Sequence, residues 1–113
     1  MGAQGTATID FGAFPGASDT SVVVTGQATI LAGSLVEAWL FPTATSDHSA
    51  DEHLVEQIKV CAGNVVAGTG FTIYALCDAP SLGTDGQLRK GTINSESGNA
   101  RIYGTWTVGW VWN

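Results

Sequence analysis

The sequence predicts an all-β fold, an antiparallel β-sandwich or jelly roll of about seven to eight short strands with one short helical turn. Three observations carry this expectation. Apolar side chains recur with a period close to two along most of the chain. Clusters of Gly, Pro, Asn and Ser interrupt the alternation at intervals of about ten residues, as turns between short strands do. Only one brief stretch, around residues 49–56, has a period near that of a helix. A chain of 113 residues is long enough to close one core and too short for two, so residues 1–113 are expected to form one domain.

The first strand is expected over residues 6–11, where Ala7, Ile9 and Phe11 alternate with Thr6, Thr8 and Asp10; a loop over 12–19 with Pro15 and Gly16 ends it. Residues 21–31 predict a second strand, with Val22, Val24, Ala28 and Ile30 on one face and Gly26 marking a bulge. Ala32 to Ser34 turns the chain. Leu35 to Phe41 is apolar except for Glu37, which predicts a strand covered on both faces. Pro42 stops it, because proline cannot continue a ladder.

After the polar segment 43–56 a strand is expected over 57–61, then a turn at Gly63-Asn64, a short strand over 65–67 and a break at 68–70. Phe71, Ile73, Ala75 and Cys77 form one face of the next strand, with Thr72, Tyr74 and Leu76 opposite. Residues 78–87 have loop composition, 88–93 predict a short strand and 94–99 a turn. The closing strand has the clearest pattern: Ile102, Trp106, Val108, Trp110 and Trp112 share one side, and Arg101, Tyr103, Thr105 and Thr107 the other.

Charge and composition exclude several partners. Ten acidic residues against four basic ones leave a net charge of −6, which repels phosphate backbones, so no nucleic acid is expected as partner. No apolar run reaches the length of a bilayer span, and no membrane partner is expected. The N-terminus lacks the features of a secretory signal, so synthesis in the cytoplasm is expected.

Candidate chemistry concentrates in residues 45–56. Ser49 and Glu52 have capping-box spacing, which predicts a turn or two of helix with Glu52 and Glu56 on one side. His48, Glu52, His53 and Glu56 are the candidate metal ligands, imidazole and carboxylate together. The histidines are five apart rather than the four of a helical zinc site, and a solvated, capped connection is the favoured reading. Both histidines titrate where assembly or release could respond to acid. Cys61 and Cys77 could bridge neighbouring strands, but a chain without an export signal favours free thiols. Trp39, Trp106, Trp110 and Trp112, with Tyr103, are expected in the core or at a subunit interface; an exposed indole would instead offer a stacking face to a sugar ring. No local spacing assembles a nucleophile, a base and an orienting group, so neither an enzyme nor a cofactor is expected.

Two stretches carry a resemblance: VEAWLFPTATSDHSADEH over 36–53 with AGTGFTI over 67–73, and YGTWTVGWVW over 103–112. Together they resemble small structural proteins of tailed bacteriophages. The GFTI step and the closing WVW strand, mainly within residues 70–112, are also similar to the six-stranded, trimeric sandwich of H-type lectins. None of that family's sugar ligands is carried over to a position here. The first resemblance implies a non-enzymatic virion protein, a capsid decoration or a tail or spike fibre module. Its expected partners are itself, as a trimer or other homo-oligomer, and other virion proteins. The second implies a lectin-like module for a host glycan.

Overall fold

The computed structural model describes residues 2–78, 81–82, 88–89 and 101–113. These residues form an all-β arrangement of eight strands and one helix: β1 (Ala3–Asp10), β2 (Asp19–Val24), β3 (Val36–Leu40), α1 (Ala50–Val55), β4 (Ile58–Val66), β5 (Gly70–Cys77), β6 (Ser81–Leu82), β7 (Leu88–Arg89) and β8 (Thr105–Trp112). The longer strands make two antiparallel sheets, ordered β1-β8-β3 and β2-β5-β4, and β6 pairs with β7.

The central strand of each three-stranded sheet is the one whose sequence can be buried. β8 turns Trp106, Val108, Trp110 and Trp112 inward, and β5 does the same with Phe71, Ile73, Ala75 and Cys77. These side chains join Ile9, Phe11, Val24, Ile30, Ala38 and Ile102 in one apolar cluster drawn from both sheets. Phe71 and Trp110 meet edge to face across it, with ring centroids 5.5 Å apart, a favourable geometry for two aromatic quadrupoles. Indole N–H groups buried with the rings find acceptors: Trp112 Nε1 donates to Gln27 Oε1 at 2.8 Å, and Trp106 Nε1 to the Tyr103 carbonyl at 3.2 Å. Among the described residues no buried side-chain polar atom lacks a partner.

Four local expectations need revision. The strand expected over 21–31 ends at Val24, since Gly26 at φ +79° leaves the extended region instead of forming a bulge. Ile30 is nonetheless buried, held by Gly68 N–H donating to its carbonyl at 2.8 Å. Gly63-Asn64 is not a turn: β4 runs through it with a register shift between Gly63 and Val66, and Asn64 at φ 51° supplies the left-handed residue of a bulge. The hairpin turn comes later, over residues 67–69. β3 is covered on one face only, with Glu37 and Trp39 on the exposed side. Within the expected 78–87 loop, Ser81–Leu82 pairs with Leu88–Arg89; the rest of the 88–93 strand and the 94–99 turn lie outside the described residues.

Candidate functional site

Among the described residues, the polar segment after Pro42 gathers a dense group of hydrogen-bonding side chains, and its position follows from a mismatch in strand length. β8 has eight residues but β3 only five, with Leu40 opposite Val108. Phe41 N–H still donates to the Thr107 carbonyl at 2.9 Å. Pro42 then prevents the ladder from continuing, and the Phe41 carbonyl accepts from Thr43 N–H at 2.7 Å within the chain's own bend. The edge of β8 is therefore left without a backbone partner at Thr105 and at the Thr107 N–H. Buried or half-buried backbone groups of this kind must find partners elsewhere.

Residues 43–53 supply them as side chains. Thr45 Oγ1 donates to the Thr105 carbonyl at 2.8 Å, and Asp47 Oδ2 accepts from both Thr105 N–H and Thr105 Oγ1, each at 2.8 Å. His53 Nε2 accepts from Thr107 N–H at 2.9 Å. One step beyond the strand, His48 Nε2 donates to the Tyr103 carbonyl at 2.6 Å. Successive odd-numbered residues of one strand edge are thus met by an arm whose side chains stand in for a neighbouring strand. The Thr105 hydroxyl and, behind it, the Thr105 N–H hold the Asp47 carboxyl below its ordinary value.

Helix α1 orients this arm. The capping box predicted by the sequence forms, with Ser49 Oγ accepting from Glu52 N–H and Glu52 Oε1 accepting from Ser49 N–H at 2.7 Å. That fixes His48 before the helix and His53 on its inner side. Both rings are buried, His48 at 6% exposure and His53 at 2%. His48 stacks on Trp106 with centroids 3.8 Å apart and planes at 16°, and His53 meets the same indole edge on at 4.9 Å. The connection is capped and exposed along most of its length, as expected, and it is also anchored, because both imidazoles find apolar faces and hydrogen-bond partners on the sheet.

The four candidate metal ligands do not converge. His53 uses both ring nitrogens, Nδ1 donating to the Ser49 carbonyl at 2.7 Å and Nε2 accepting from Thr107. His48 and Glu52 do meet, at 3.2 Å. Glu56 Oε1 turns to Gln57 N–H at 3.0 Å. Among the described residues no group of three or more His, Cys, Asp or Glu side chains is arranged around a cation position. Cys61 and Cys77 are not bonded to each other: Cys61 lies opposite Tyr74 on the exposed face of the sheet and Cys77 opposite Ile58 on the core side, so their side chains point away from one another.

Of the aromatic candidates, Trp106, Trp110 and Trp112 are buried, while Trp39 and Tyr103 are each 41% exposed. Trp39 lies directly opposite Gly109 on the outer face of β1-β8-β3, with its ring against the glycine: a Cβ there would sit 2.8 Å from indole Nε1. An open groove of about 260 Å³ runs beside it, lined by Gln4, Thr6, Phe41 and Gly109. This arrangement depends on the β3–β8 register, which side-chain alternation within either strand does not reveal. A smaller hollow of about 160 Å³ on the other sheet is lined by Asp19, Lys59, Cys61, Tyr74 and Leu76. No family model, curated protein or solved structure matches the chain.

Proposed function

We propose that this chain is a non-enzymatic structural module of a bacteriophage particle, a β-sandwich or jelly roll that acts by assembling as a trimer or other homo-oligomer with further virion proteins. Capsid decoration and tail or spike fibre are its two placements. The observation that carries the reading is the apolar surface left outside the core. Leu35 and Phe14 are 79% exposed, and Leu31, Leu54 and Val55 are nearly as open, in a chain where charged residues make up only 12%. Exposed apolar side chains mark contact surfaces where they lie together, as Leu54 and Val55 do on α1. The polar cluster that a hydrolase would use is committed to closing the sheet, which further supports a role in assembly. Mixing the purified chain with shells and tails of tailed phages tests this: saturable co-sedimentation is expected, and no binding to any particle component would contradict it.

A second reading, a lectin-like module for a host glycan, is favoured by Trp39. Its ring lies against Gly109 with part of its surface open, the form of a platform on which a pyranose ring stacks. Trp110, buried beneath the sheet, is not available for that role. On this reading, glycan-array binding is lost in Trp39→Ala while the β-type circular dichroism spectrum is kept. Binding that survives the substitution would contradict it.

A further inference from the structure

The two buried histidines are wired differently. His53 accepts at Nε2 from Thr107 N–H and donates from Nδ1 to the Ser49 carbonyl, a pattern that only the neutral ring can satisfy. His48 faces an acceptor at each nitrogen, the Tyr103 carbonyl at Nε2 and the Glu52 carboxylate at Nδ1, so a ring carrying two protons satisfies both contacts. We propose that His53 is a proton-operated latch: a proton taken up at Nε2 sets one N–H against another at Thr107 and releases the α1 end of the arm from β8 at that point, whereas His48 accommodates the same proton and the bonds of Thr45, Asp47 and His48 to the strand edge stay in place.

The ionisable neighbours agree with this division. On the arm and α1, Glu52 is engaged with His48 and Ser49 N–H, Asp47 with Thr105, and Glu56 with Gln57 N–H; Asp51 is exposed. β8 presents Thr107 and Trp106 to His53, neither of them charged. Beyond β8, Arg101 donates to the Gly16 carbonyl and Tyr103 offers His48 its ring and carbonyl. Neither of the two hydrogen bonds made by the His53 ring is to a carboxylate. Once that contact opens, the Thr107 N–H loses its acceptor, and this step of the closed sheet edge becomes open to pairing with another strand. This inference does not depend on the particle role proposed above.

The test is an NMR titration of the full-length, ¹⁵N-labelled chain between about pH 7.5 and about pH 5, the range in which histidine changes charge. It follows both imidazole rings and the Thr107 amide. As the His53 ring gains its proton, Thr107 amide exchange is expected to accelerate by at least roughly tenfold beyond the intrinsic pH effect. His48→Gln keeps this transition. His53→Gln, whose side-chain oxygen can accept from Thr107 N–H without titrating, removes it. A His53 ring that stays neutral across the range, a Thr107 amide still protected beside a charged ring, or an unchanged transition in His53→Gln overturns the latch. If His53→Gln does not fold, the wild-type ring and amide signals decide alone.

Discussion

Asp47 does for Thr105 what a backbone carbonyl of a neighbouring strand would do, and it does so with a charge. The two Thr105 donors favour its ionised form and lower its carboxyl pKa from the ordinary 3.8. A carboxyl whose folded value is lowered contributes stability that is fully present above its unfolded value and is lost as pH falls through the folded one. Urea unfolding of wild type and Asp47→Asn should therefore differ at about pH 7, with wild type more stable; the difference should begin to shrink as pH falls below about 3.8 and vanish only below the lowered folded value. A difference that stays constant to low pH would show that the charge plays no part. The capping box around α1 was legible from Ser49 and Glu52 because both partners lie within one helical turn. The bond from Thr107 to His53 was not, since its partners are 54 residues apart and sequence patterning sees only near neighbours.

At the scale of elements, the arm and β8 fit together only because the chain is narrow where they cross. Gly104 has φ +81°, and a Cβ there would lie 2.9 Å from the Asp47 side chain. Gly104→Ala should cost about 1–2 kcal/mol from the left-handed backbone alone, with a further loss from the displaced carboxylate, as measured by urea denaturation. A loss no larger than that backbone cost would mean that the arm is not tightly docked there. The alternation of β1, β5 and β8 could be read in advance because each has one face in the core. Alternation alone carries β2 too far, because a glycine inside an apolar run signals a bulge as readily as an end. It divides β4 in two, because an Asn in a left-handed conformation serves a bulge as well as a turn. The anchoring of residues 43–53 had one sequence signal: Pro42 ends β3 while the partner strand still has polar, β-branched residues, Thr105 and Thr107, whose backbone needs partners.

Across the described residues, the two histidines are turned inward to complete a sheet edge, and several large apolar side chains remain on the outside. On the proposed reading the chain works through contact with copies of itself, because burying exposed leucine and phenylalanine side chains would stabilise association without the ordering cost of many long charged ones. Leu35 precedes β3 and Leu54 lies on α1, so two separate regions offer such contacts. Sedimentation equilibrium of the purified chain over concentrations up to about 100 μM, within the range where weak assemblies still form, tests this most directly. A closed oligomer such as a trimer is predicted; a chain that remains monomeric at every concentration would contradict the account.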